Sequence, residues 1–481
     1  MDISFYKAKF DVYPDSVNDL GQTACFMINA GNRDQLCITG HNPGFPGKPY
    51  SHSGYEYTIS ELDHQAAVFL REHFPFCGPA PILDRKTTFG VGDRLGLAGP
   101  GHLRVFREYD VFPVLAQQSM RELTLTHRTM ENVIDSATFA VFREGYRRGF
   151  GADGDHLKTV EEVRAAIACG CTIITLDCSD YIDNQAALLS DEELQGLYST
   201  DKALESRYLN HLFEVGPNTQ LTFDTLCLKR IAAVYQKAIE FIGEVYTVCI
   251  GAHRQEINFE VSIDETLTVT SPLAHFFVAN ELKIRGIRFT TIAPRFSGEF
   301  QKGIDYIGDP EILRGEIRVH NDIAKYFGYK VSFHSGSDKF SVFSIMGEET
   351  QGRFHVKTSG TNWLEAVRVI AVYNPVLFRS LYAVAEETFK ENQKFYHVTP
   401  DLATIPDISV LPDERLPKLL EIAASRQVLH IGYGKILEHA ELTKELYRTL
   451  QDHKQEYSDM LYQHIGRHAQ LLSIPRGGCA R

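Results

Sequence analysis

Cys171-Thr-Ile-Ile-Thr-Leu-Asp177 is the stretch on which the fold turns. Four of its seven residues are β-branched, nothing charged interrupts it, and an aspartate ends it. A continuous apolar run of this length predicts a strand covered on both faces, which places it in a parallel sheet packed against helices. The neighbouring sequence repeats the theme. Between Thr87 and Val372 short β-branched runs alternate with longer helical patterns, the mark of βαβ units. Eight strands are predicted: Thr87–Gly92, Pro113–Gln118, Phe150–Asp155, Cys171–Asp177, Ile257–Asp264, Ile287–Ala293, Lys330–His334 and Arg353–Thr358. Helices are predicted from Gly101, over Arg121–Phe142, from Thr159 (with Glu162, a capping box), over Phe223–Val248 and from Thr361.

Eight such cycles fit an α/β fold of the (β/α)8 TIM-barrel type better than an open doubly wound sheet. No Gly-x-Gly-x-x-Gly follows the first strand; Gly90–Gly96 (GVGDRLG) has the wrong spacing, and the P-loop pattern is absent. No nicotinamide cofactor is therefore expected. The 481 residues leave room for extensions around a barrel of roughly 250 residues. The expected division is an N-terminal extension over 1–86, a catalytic barrel over 87–373 with an insertion at about 178–220, and a mostly helical C-terminal extension over 374–481.

Apolar residues make up 43% and charged residues 23%, which speaks against a disordered chain. The balance of 49 basic to 62 acidic side chains, net −13, disfavours nucleic-acid partners. No uncharged apolar run is long enough to span a bilayer, and Met1–Leu20 lacks the basic and apolar regions of a signal peptide. Nine cysteines without an export signal read as reduced thiols. The expected location is the cytoplasm, with a homo-oligomer open through either extension.

In a TIM barrel the chemistry sits at the C-terminal ends of the strands, and alternation tells which side chains face inward. Phe259, Val261 and Ile263 face the helices, so Glu260, Ser262 and Asp264 point into the barrel. The same argument turns Ser332 and His334, His355 and Lys357, and Asp153 and Asp155 inward. Asp177 ends its strand, and His156 lies just above Asp155. Imidazoles with carboxylates are a common donor set for a divalent ion with an open position, Zn²⁺ first, with Mn²⁺, Co²⁺ or Ni²⁺ overlapping. Glu260 and His334 are the leading metal ligands, with Asp153, Asp155, His156 and His355 competing for the remaining places. Asp153, Asp155 and Asp177 are candidate bases, and Lys357 is placed to stabilise negative charge or hold a carboxylate. Gln117, Gln118 and Ser119 at the end of the second strand, Asp264, and Ser335 are candidate substrate contacts. So are Ser359, Gly360 and Thr361, where a helix N-terminus offers backbone N–H groups to an anion. Arg94 and Arg295 add charge without an assignable place. His430–Lys435 (HIGYGK) reads as a strand and turn or as a lid over the mouth.

The stretches GADGDHLKT (151–159), FEVSIDET (259–266), VSFHSGSDK (331–339), FHVKTSGTNWLEAVRV (354–369) and HIGYGKIL (430–437) together resemble the tagaturonate epimerase family over most of the chain. That resemblance implies a metal-dependent enzyme of hexuronate breakdown interconverting D-tagaturonate and D-fructuronate, with fructose–tagatose interconversion at C4 in some relatives. Such a reaction inverts the carbon β to a ketone, which one enolisation cannot reach; retro-aldol cleavage, rotation and recombination can. A metal-dependent sugar-acid aldolase would use the same site and release the fragments. A non-catalytic sugar-binding protein would show affinity without turnover, and hydride transfer through a nicotinamide is the mechanistic rival.

Overall fold

The computed structural model describes residues 3–477 except 32, 41, 43, 254, 255 and 359, with residue 361 described by its backbone alone. Eight parallel strands close into a barrel in chain order: Thr87–Gly90, Phe112–Ser119, Gly151–Leu157, Ile173–Asp177, Asn258–Ile263, Thr291–Pro294, Lys330–Phe333 and Phe354–Lys357, the eighth pairing with the first. All eight expected strands are present. The sixth starts four residues later than expected and includes Pro294. The expected helix over Arg121–Phe142 is two helices, Met120–Thr126 and Met130–Arg143. His127 adopts left-handed backbone (φ 53°), and a Thr129–Asn132 capping box restarts the chain.

Two features shape access to the barrel interior. The third strand shifts register against the fourth between Ile174 and Leu176, because Gly154 pairs with Ile174 but Leu157 pairs with Leu176. His156, at φ 53°, is the extra residue. Such a bulge breaks alternation, so Asp155 and His156 both face the barrel mouth. The N-terminal end of the barrel is closed by Ile82, Leu83, Val114 and Ile173. Access is therefore from the C-terminal ends.

Residues before the barrel form a six-stranded antiparallel sheet, whose core joins helix His64–His73 to Phe139 and Phe142 of a barrel helix. The insertion after the fourth strand carries the short helices Asn184–Leu188, Asp191–Leu197 and Lys202–Tyr208 and the hairpin Phe213–Gly216/Thr219–Leu221. The C-terminal residues are helical and share a core with helix Thr361–Tyr373, including the buried Trp363, whose indole N–H donates to the Leu429 carbonyl at 2.9 Å. His430–Lys435 is neither strand nor turn: it runs through the helices Ala423–Ile431 and Tyr433–Glu438 and is mostly buried. No helix among the described residues is long and apolar enough to cross a membrane.

The last helix, Lys454–Leu471, lies against helix Gly99–Glu108 at Gly101, where a Cβ would come within 2.7 Å of Leu461 Cβ and 2.9 Å of the Ser458 carbonyl oxygen. Gly101→Ala is expected to lose about 1–3 kcal/mol of stability through overpacking, despite alanine's better helix propensity. Denaturant unfolding of the two proteins checks this.

Candidate active site

At the centre of the barrel mouth one ammonium is surrounded by acids. Lys357 Nζ lies 2.8 Å from Asp153 Oδ2, 2.7 Å from Asp155 Oδ1 and 2.8 Å from Glu260 Oε1, and 2.5 Å from Thr175 Oγ1. Alternation does bring these four strands' inward residues together. Burial works against charge here, but the three carboxylates outweigh it and push the Lys357 ammonium well above its usual range. Burial raises Asp153, with Asp155 and Glu260 adding to it against Lys357. At Asp155 burial is overcome by His156 and Lys357, which hold the carboxyl well below its usual range.

From this centre two carboxylates reach two imidazoles. Asp155 Oδ1 accepts from His156 Nδ1 at 2.8 Å, and Glu260 Oε1 accepts from His334 Nε2 at 2.9 Å. In a neutral ring the remaining nitrogen keeps its lone pair. His334 Nδ1 is buried, lies 3.3 Å from Asp264 Oδ2 and has no aligned hydrogen-bond partner. Asp264 Oδ1 accepts from Ser262 Oγ at 2.5 Å, while Oδ2 faces the His334 ring. His156, Asp264 and His334 thus bring three donor atoms within 4.8 Å of one another. Burial opposes charge on His334, yet Asp264 and Glu260 push it up to about 10. The surroundings demand positive charge. Two imidazoles and a carboxylate, each imidazole oriented by a second carboxylate, fit a divalent transition ion or Zn²⁺.

Several expectations change. Glu260 is not one of the three clustered donors: Thr175, His334 and Lys357 occupy Oε1, and Thr291 donates to Oε2 at 2.6 Å. Its contact with His334 is the hydrogen bond from Nε2. His355 lies one layer deeper, its Nδ1 2.9 Å from Thr88 Oγ1, and burial lowers it to about 3. It does not meet His156 and His334. Asp264, expected as a substrate contact, takes the place among the donors. Lys357 has no vacancy for a substrate carboxylate. Asp153 is fully buried and does not line the cavity, whereas Asp155 and Asp177 do. Asp177 Oδ1 accepts from the Ser179 N–H at 2.8 Å, and Oδ2 lies 3.6 Å from Lys158 Nζ.

The cavity itself is about 480 Å³, within the roughly 300–1,000 Å³ of small-molecule sites. Ser119 and Ser335 line it. Gln117 faces the barrel interior a layer below, beside Gly90. Gln118 pairs with Gly154, whose Cβ direction meets Ala166 of an outer helix, so Gln118 faces away from the mouth. Ser359 lies outside the described residues. Gly360 does not line the cavity, and a Cβ on it would overlap the His430 ring; the Thr361 side chain lies outside what the structure describes.

No motif or periodicity marks Lys302, which sits in the long irregular loop after the sixth strand and lines the cavity. Its only cue is position after a barrel strand. Arg94 lines the same cavity, paired with Glu122 at 2.8 Å and stacked on Tyr433 at 3.8 Å. A second group, Asp338, His464 and His468, also clusters. There His468 Nε2 accepts the Asp338 N–H at 3.1 Å and Nδ1 donates to the His464 carbonyl at 2.8 Å, so that ring has no lone pair left for an ion.

The family model for tagaturonate epimerase (UxaE) matches residues 13–472. The chain is 41% identical over 471 residues to the tagaturonate/fructuronate epimerase of Thermotoga maritima, covering 96% of this chain and 97% of that one. The chain belongs to the tagaturonate epimerase family. It is an epimerase, of the isomerase class. The fold agrees: crystal structures of fructuronate-tagaturonate epimerase UxaE from Cohnella laeviribosi superpose with a TM-score of 0.94. In the complex with one glycerol the identity is 44%, and in the native form 43%, each covering 98% of both chains.

Within this family member, Lys357 acts as the counter-ion of the site. Lys357→Met leaves three buried carboxylates facing one another, and the metal-free protein is expected to lose about 3–5 kcal/mol of stability. Urea unfolding in the presence of a chelator measures it.

Proposed function

We propose that the chain interconverts D-tagaturonate and D-fructuronate by reversible cleavage of the bond between the carbons α and β to the ketone, with a divalent ion held by His156, Asp264 and His334. The observation that carries this reading is the convergence of those three donors with Asp155 and Asp177 on a single cavity at the C-terminal ends of the strands. When bound, such an ion supplies Lewis acidity to the ketone and its neighbouring hydroxyl. Zn²⁺ suits the donors best, and Mn²⁺, Co²⁺ and Ni²⁺ share the preference.

The residues of the chain do the rest. Of the expected bases that line the cavity, Asp155 and Asp177, Asp177 is the better, because Asp155 is committed to His156 and Lys357. Asp177 Oδ2 accepts the proton of the β-hydroxyl, with Lys158 balancing the site's charge. The α–β bond breaks, its electron pair stays with the ketone-derived fragment, and the β carbon becomes an aldehyde. Turning the aldehyde presents its other face. The bond re-forms, the proton returns from Asp177, and the β carbon is inverted. Ser119 is placed at the rim to bond substrate hydroxyls. The neutral pair tagatose and fructose needs the same step.

Proton NMR of D-tagaturonate with the purified enzyme is expected to show D-fructuronate accumulating. Accumulation of three-carbon products in its place would mean an aldolase. Chelation should abolish turnover and added metal restore it. His334→Ala and Asp264→Asn should each lower metal affinity by more than the roughly 10–100-fold typical of losing a group that merely orients a ligand, as elemental analysis after dialysis can show, with the fold retained by circular dichroism. Asp177→Asn should keep its metal and lose about 10²–10⁴-fold in kcat.

A further inference from the structure

Of the two lysines lining the cavity, Lys302 is the one without a carboxylate beside it among the described residues. Lys357 is enclosed by three carboxylates, Lys158 by Asp177 and Asp180, and Arg94 by Glu122. Among the described residues no carboxylate oxygen lies within 4 Å of Lys302 Nζ; its one hydrogen bond is donated to Ser335 Oγ at 3.0 Å. An ammonium has three N–H donors, so two remain. Lys302 is half-buried, and a charge drawn out of water without a partner is costly; desolvation lowers the Lys302 ammonium's hold on its proton, with Arg94 adding to that against Glu122.

The chain around Lys302 is held in place with unusual thoroughness. Lys339 Nζ donates to the carbonyls of Gln301 at 2.9 Å and Ile304 at 2.7 Å, as well as to that of Ser337 at 2.8 Å. Arg426 Nε donates to the Gly303 carbonyl at 2.7 Å, and the Gln301 side chain is held by Thr399 and Gln427. The backbone on both sides of Lys302 is thus anchored by buried side chains, which fixes where its ammonium emerges. Arg94 supplies a second open donor: Nε and Nη2 go to Glu122, while the buried Nη1 has no partner. Ser335, which touches Lys302, directly follows His334 in the chain, so this corner flanks the cluster of candidate metal donors.

We propose that Lys302, with Arg94 Nη1 and Ser335, binds the carboxylate of a hexuronate and so selects a sugar acid over the neutral ketose. This assignment rests on the epimerase activity proposed for the site and names the substrate class within it. It also gives the corner a part in the reaction. After the α–β bond breaks, the carboxylate stays on the aldehyde fragment, so its ion pair with Lys302 retains that fragment while the aldehyde turns. The ketone-derived fragment leaves nothing for this corner to hold.

Isothermal titration of the metal-loaded protein with glycerate, which carries the carboxylate of the aldehyde fragment, and with glycerol tests the subsite without turnover. Wild type is expected to bind glycerate at least about 10-fold more tightly than glycerol. Lys302→Met is expected to erase that preference and Lys302→Arg to keep most of it. In parallel, Lys302→Met should raise KM for D-tagaturonate by about 10–100-fold and let three-carbon fragments escape during turnover. A glycerate preference that survives in Lys302→Met, or is absent from wild type, overturns the subsite. Failure of wild type to epimerise tagaturonate overturns the reading it rests on and leaves the titration to speak for the subsite alone.

Discussion

The enclosure of the Lys357 ammonium by Asp153, Asp155 and Glu260 is the interaction on which the site depends. Three carboxylates could not stay ionised together in the barrel without it, since each faces the others' charge in a medium that hydrates none of them. Once they are ionised, Asp155 Oδ1 and Glu260 Oε1 each accept from an imidazole as well as from Lys357, and so hold that ring in a fixed orientation. A charge placed deep in the barrel thereby sets, two hydrogen bonds away, which ring nitrogens of His156 and His334 face the cavity. Orientation by an outer carboxylate is how proteins commonly prepare a metal-binding histidine.

A second set of buried cations governs the loops. Lys339 and Arg426 bond to backbone carbonyls at residues 301, 303 and 304, and Arg426 is itself paired with Asp338. The loops after the sixth and seventh strands are thus tied to each other and to the C-terminal helices. Helix Ala423–Ile431 contributes Arg426, Gln427 and His430 to that region, and Tyr433 packs on Arg94. The C-terminal residues therefore build one wall of the cavity's surroundings. They support the positions of Lys302 and Arg94, much as a rigid scaffold supports functional groups on loops generally.

The barrel was legible because its signal is local. Each strand carries its own β-branched run, and a period of two assigns Glu260, His334, Asp153 and Lys357 to the interior without reference to any other strand. Where backbone geometry departs from the regular, that reasoning fails in specific ways. Alternation cannot foresee the bulge at His156, whereas with Gln117 inward it does turn Gln118 outward. It also cannot tell depth, so His355 and His334 looked equivalent although they occupy different layers. Gly360 read as an anion-binding turn because no sequence pattern shows that His430, 70 residues on, fills the space beside it.

What the sequence determined by itself is the set of groups facing the barrel axis and the family to which its motifs point. Both follow from short-range order: the pleat of a strand and runs of adjacent residues. Tertiary structure alone decided which of those groups touch. Glu260 falls outside the cluster of three donors, its oxygens accepting from Thr175, Thr291, His334 and Lys357, which come from elsewhere in the barrel. Lys302 stands out only once the other lysine lining the cavity, Lys158, is seen to be paired with Asp177 and Asp180. Hydrogen bonding and ion pairing between strands distant in the chain depend on distances of a few ångströms, and no local pattern of residues encodes them.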